Sequence, residues 1–137
     1  MEQIIASTPH DLLIHCGDYG LDLKGNTVYH VKGNCDPWSS APSEALVEVE
    51  GHVLLIVHGH RHHVKTGLLS LAYYAGERGA DIVLFGHTHR AVIAEEGKLI
   101  LINPGSISLP PPAIAPSFVE LTLDQGLVQP VIRYVED

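Results

Sequence analysis

Ile82-Val83-Leu84-Phe85-Gly86-His87-Thr88-His89 is the stretch that decides how this chain is read. Four apolar residues stop abruptly at a glycine. A run this short and this apolar suits a strand buried on both faces, and glycine permits backbone angles closed to other residues. Two imidazoles then follow at positions i and i+2. On a helix such positions face apart, so the pair does not suit a helical metal site. At an extended turn both can reach toward one region and engage one or two ions.

The same ending recurs along the chain. Leu12-Leu13-Ile14-His15-Cys16 ends at Gly17-Asp18, and Val28-Tyr29-His30-Val31 ends, after Lys32, at Gly33-Asn34-Cys35-Asp36. Val53-Leu54-Leu55-Ile56-Val57 ends at His58-Gly59-His60, and Leu99-Ile100-Leu101-Ile102 at Asn103-Pro104-Gly105-Ser106. In open α/β sheets, ligands bind just outside the carboxyl ends of the strands. The five polar endings are therefore expected to converge on one rim of an α/β domain.

Helix signal is sparser. Residues 64–78 form the best candidate, with Leu68, Leu69, Leu71, Ala72 and Ala75 as an apolar stripe and Gly79 as the cap. Residues 38–44 and 110–116 read as Ser/Pro-rich and Pro-rich loops, and Glu95-Glu96-Gly97 as a solvated hairpin turn. The tail alternates from Phe118 to Leu123, turns at Asp124-Gln125-Gly126 and returns through Val128 to Val135, a hairpin signal.

Composition bounds the function. The 137 residues fit one domain, 1–137, and the 45% hydrophobic content argues against disorder. A formal charge of −8 leaves no footprint for non-specific nucleic-acid binding, although bound cations could locally reverse the sign for an anionic substrate. Cys16 and Cys35 make no disulfide framework, and no signal peptide or membrane-length apolar run is present, so a reduced, cytoplasmic setting is expected. His10, His15, His30 and His52 read as edge or surface histidines, and Cys16 as a small buried hydrophobe. The tract Arg61-His62-His63 could receive an anionic substrate or be an exposed polar turn.

The donors at the strand endings are of one chemical kind. Asp18 offers a carboxylate able to bridge two cations, Asn34 an amide oxygen, and His58, His87 and His89 imidazoles. Mixed nitrogen and oxygen ligands without thiolate suit manganese, iron, zinc or nickel. Two such ions would clamp a phosphoryl group and generate a nucleophile.

The order Gly17-Asp18, Gly33-Asn34-Cys35-Asp36, His58-Gly59-His60, Gly86-His87-Thr88-His89 and Asn103-Pro104-Gly105-Ser106 resembles the calcineurin-like metallophosphoesterases, and within them the small YfcE-type phosphodiesterases. The resemblance covers nearly the whole chain. It implies a two-sheet αββα sandwich and metal-dependent hydrolysis of a phosphodiester or phosphomonoester. It implies that Asp18 bridges both metals, that Asn34, His58 and His87 bind the second, and that His89 binds the first. One or two divalent transition ions are implied, manganese foremost, with zinc, iron or nickel as alternatives.

The chain departs from that family twice. Many relatives carry Gly-Asn-His, whose histidine contacts the leaving group; Cys35 stands there here, as in the YfcE-type branch, and His60 is a candidate to share its role. Asn34 and His60 are accordingly the residues assigned to the chemistry. The family also opens with a strand ending in Asp-x-His, whose side chains bind the first metal. The 17 residues before Asp18 contain no such pair, so the domain reads as N-terminally truncated, with impaired turnover expected. The alternative is a catalytically defective scaffold or interaction module, a use of this fold that the resembling retromer subunit illustrates. A homodimer covering the exposed strand is the expected assembly.

Overall fold

The structure is a computed structural model and describes residues 5, 8, 10–17, 28–35, 39, 41–124 and 126–135. Its central feature is a five-stranded sheet in the order β3-β4-β5-β7-β6. These strands are β3 (Glu44–Val49), β4 (His52–Val57), β5 (Ile82–Leu84), β6 (Ala91–Glu96) and β7 (Leu99–Pro104). The inner strands β4, β5 and β7 run parallel, with Leu55 opposite Val83 and Val83 opposite Leu101. The edge strands β3 and β6 are antiparallel to their neighbours. Two further pairs complete the described sheets: β1 (Leu13–His15) parallel to β2 (Val28–His30), and the hairpin of β8 (Ser117–Asp124) with β9 (Leu127–Tyr134).

The two faces of the central sheet bury separate cores. On one face Leu55, Val57, Val83, Phe85 and Leu101 pack against Leu71, Ala72 and Ala75 of helix α1 (Leu69–Glu77). On the other, Leu54, Ile56, Ile82, Leu84 and Ile102 pack against Cys16 and Val31, with Val119, Leu121 and Leu123 of β8 behind them. The pairs β1–β2 and β8–β9 thus share the layer opposite the helix. This is an α/β architecture. Every residue of β5 is buried, as a central parallel strand requires, whereas β1 and β2 are only half-buried, short of the two-sided burial expected of them.

Helix α1 is shorter than the 64–78 expected, because Gly67 adopts φ +143° and Leu68 becomes the N-cap. Leu69 is 75% exposed and does not belong to the apolar stripe. The C-terminus ends as a Schellman cap: Gly79 has φ +77°, Ala80 N–H donates to Ala75 O at 3.0 Å, and Gly79 N–H to Gly76 O at 3.1 Å. β3 is a strand the sequence reading passed over. Its turn into β4 is Glu50-Gly51, both with positive φ, as tight hairpin turns require.

Side-chain bonds tie these elements. Asp81 accepts from the Val53 N–H and bonds His52 Nδ1, each at 2.7 Å, joining the starts of β4 and β5. The Tyr74 hydroxyl donates to Glu44, which also pairs with Arg78 at 2.9 Å, so α1 is held to β3. That bond to Glu44, ahead of burial, raises the Tyr74 pKa. Burial pushes the Cys16 thiol up to about 12, leaving an inert core group.

Candidate metal centre

β4 delivers His58 into the interior, where it is 2% exposed. Gly59 then takes φ +106°, and a Cβ there would meet both Val64 methyls at 3.1 Å. Only glycine suits this bend, which starts the 3-10 turn His60–His62 and folds His60 back toward His58. The Nδ1 atoms of His58 and His60 lie 3.0 Å apart. Two bare lone pairs cannot face each other at that distance, so the pair shares a proton or a cation.

β5 delivers the second arm. Gly86 N–H donates to His58 O at 2.9 Å, joining the two strand ends. His87 and His89 follow with φ +71° and +61°, an uncommon left-handed conformation for residues with a Cβ. The His87 ring centroid lies 4.9 Å from that of His58 and 6.2 Å from that of His60. β1 closes in from the opposite layer. A Cβ on Gly17 would sit 2.9 Å from His58 Cδ2 and 3.0 Å from the Gly33 nitrogen. The ends of β1, β2, β4 and β5 therefore meet at Gly17, Gly33, His58 and Gly86. Gly17, His58, His87 and His89 also line one cavity of about 610 Å³.

The expected ligands are placed unequally. His58 and His87 are in ring contact, His60 joins them, and His89 is half-buried on the wall of the same cavity. Asn34 is exposed in the turn after β2. Asp18 lies outside the described residues. Among the described residues, no three His, Cys, Asp or Glu side chains form a metal-holding group. The donors fit a divalent transition ion in kind, since imidazole suits zinc, iron, nickel and manganese.

Arg61 follows His60 and Arg90 follows His89, both exposed, and among the described residues neither makes an ion pair. His62 packs on Tyr74 at 4.6 Å. Burial lowers the His62 pKa, with Glu44 opposing and His60, Arg61 and His63 adding to the fall. Asn103 is the residue whose part the sequence reading missed. It counted there only as a strand ending, yet it is fully buried and bonds the histidine turn.

A parallel-centred α/β sheet thus gathers imidazoles at its strand ends. The chain belongs to the calcineurin-like phosphoesterase superfamily, whose domain matches residues 2–126. It is similar to the probable metallophosphoesterase YsnB of Bacillus subtilis, 40% identical over 83% of this chain and 69% of that protein. A probable metallophosphoesterase of Methanocaldococcus jannaschii is 35% identical over 73% of this chain and 55% of that protein. The chain thus spans between about half and two thirds of these relatives. The crystal structure of a predicted phosphoesterase from Streptococcus pneumoniae TIGR4 superposes with a TM-score of 0.77 at 26% identity. The match covers 96% of this chain and 86% of that one. Family membership supports a metal-dependent phosphoesterase in general terms.

Proposed function

We propose that the chain hydrolyses a phosphodiester or phosphomonoester at a divalent-metal centre held by Asp18, Asn34, His58, His87 and His89. The observation that carries this reading is the gathering of His58, His60 and His87 at the ends of β4 and β5, in a chain of this superfamily. When bound, one or two cations, manganese foremost, would stabilise phosphoryl charge and supply an oxygen nucleophile at neutral pH. Arg61 and Arg90 draw the anionic substrate to the rim, and buried His58 orients the site. His60, one residue beyond the Gly59 bend, exchanges the proton of the leaving group, while Asn34 orients the phosphate. The expected setting is cytoplasmic.

Asp18 and His89 are the ligands these residues offer the first ion, and a further pair of the Asp-x-His kind would complete its set. An activated phosphodiester with added Mn²⁺ tests the proposal. A slow rate abolished by chelator, and lower by roughly tenfold or more in His58→Ala, is expected. A rate indifferent to both chelator and substitution would overturn it. An extended version carrying an Asp-x-His strand should run faster.

One observation favours a second reading, that of an interaction module. Three continuous runs, residues 10–17, 104–109 and 117–123, line the 610 Å³ cavity, together with Leu54, Leu84 and Ile102. Large apolar surfaces seek partners. A second copy of the protein is the proposed occupant. Light scattering across a concentration series should then show a dimer, with residues 11–17 protected from hydrogen exchange. A monomer at all concentrations would reject this assembly.

A further inference from the structure

The motif Asn103-Pro104-Gly105-Ser106 closes β7 and has no part in the chemistry proposed above. Its asparagine nevertheless makes three side-chain hydrogen bonds beside the site. Asn103 is 0% exposed, and its Nδ2 donates to Gly86 O at 3.1 Å and to Thr88 Oγ1 at 2.9 Å. Its Oδ1 accepts from the Gly105 N–H at 2.9 Å. Only an amide can donate twice and accept once from a single buried position, so neither Asp nor Leu can replace it.

These bonds grip the peptide groups on both sides of His87. Gly86 O receives Asn103 Nδ2 and also the Thr88 N–H, at 2.9 Å. Thr88 Oγ1 receives Asn103 Nδ2 and the Arg90 N–H, at 3.2 Å. The planes before and after His87 are thereby fixed, and so is the plane that follows His89. Both histidines sit in the left-handed region, at φ +71° and +61°. Residues with a Cβ hold that conformation only where their surroundings over-determine it. The Asn103–Thr88 brace acts on the peptide groups that flank these two residues. Without the brace, relaxation of His87 to negative φ would swing its imidazole away from His58, and the same relaxation would re-aim His89.

We propose that Asn103, acting through the Thr88 hydroxyl, is a positioning residue that holds His87 and His89 in the left-handed conformation presenting them to the metal centre. Its metal-binding consequence rests on the phosphoesterase reading above; its conformational consequence does not. The test uses the full chain. Thr88→Val removes the hydroxyl at constant shape on a half-buried turn, and Thr88→Ser restores it. Asn103→Asp removes both donors. Backbone couplings and Cα shifts of His87 and His89 in the metal-free protein report positive φ, and calorimetry with Mn²⁺ reports affinity. Thr88→Val is expected to lose the positive-φ signature and to bind Mn²⁺ roughly 10–100-fold more weakly, while Thr88→Ser keeps both. Thr88→Val with unchanged couplings would overturn the proposal, as would a Thr88→Ser variant that falls as far. Should Asn103→Asp fail to fold, the Thr88 pair still decides. Should the wild-type chain bind no Mn²⁺, the metal reading fails, and the couplings alone judge the brace.

Discussion

Gly17→Ala is expected to destabilise the protein by about 2–5 kcal/mol, combining backbone strain with overpacking. Gly17 has φ +99°, which a residue with a Cβ resists. The added methyl would lie 2.9 Å from His58 Cδ2, 3.0 Å from His58 Cβ and 3.0 Å from the Gly33 nitrogen. The Gly33 backbone cannot yield without disturbing the ending of β2, and His58, 2% exposed, has no room to retreat. Gly126→Ala is the control. It has φ +92°, but nothing lies within 4 Å of its Cβ position, so only the backbone term of about 1 kcal/mol applies. Urea unfolding of the two variants separates strain from crowding. Equal losses would show that β1 does not press on His58. The expected excess for Gly17→Ala should come with a shift of the His58 ring resonances, because the crowding falls on that side chain.

That contact explains which features were legible in the sequence. The endings of β4, β5 and β7 were readable because short apolar runs closed by a polar turn have one economical solution, a buried strand turning at its carboxyl end. The tail hairpin was readable from strict alternation, seen as the pairing of Val119 with Ile132 and Leu121 with Pro130. β3 was not. Glu44, Glu48 and the loop before them gave it a polar look, and its stability comes from pairing with β4 and from Tyr74 and Arg78 holding Glu44. The helix start was misread because an apolar stripe does not reveal a glycine at φ +143°.

The site divides in the same way. His58, His60 and His87 were conspicuous because imidazoles at strand ends are chemically unusual. Asn103 was inconspicuous because its work is done through Gly86 and Thr88, partners no local pattern reveals. Sequence spacing identifies groups that could meet an ion. It does not show that two of them, His87 and His89, occupy an uncommon backbone conformation, flanked by bonds from a residue 16 and 14 positions further along the chain.

Phe85→Ala should cost about 3–5 kcal/mol, the usual loss for emptying a buried aromatic site. Phe85 is 1% exposed and is among the largest fully buried side chains. It belongs to the core between the central sheet and α1, with Leu55, Val57, Leu71, Ala75 and Leu101. Its backbone N–H donates to Ile102 O at 3.0 Å, a bond the substitution leaves in place. The cavity therefore opens on the helix side, while Gly86 still donates to His58 O on the rim. Stability and site geometry should consequently separate. The denaturant midpoint should fall with little change in slope, and Mn²⁺ affinity of the folded fraction should stay within a few-fold of wild type. Leu69→Ala, at 75% exposure, should change stability by no more than about 0.5 kcal/mol. A loss below about 1 kcal/mol for Phe85→Ala would mean that its ring is not packed as described, since aromatic truncation in a close-packed core cannot be that mild. A large loss of Mn²⁺ affinity alongside an unchanged midpoint would instead place the ring in support of the histidine turn, against the division of labour between the two faces of the sheet.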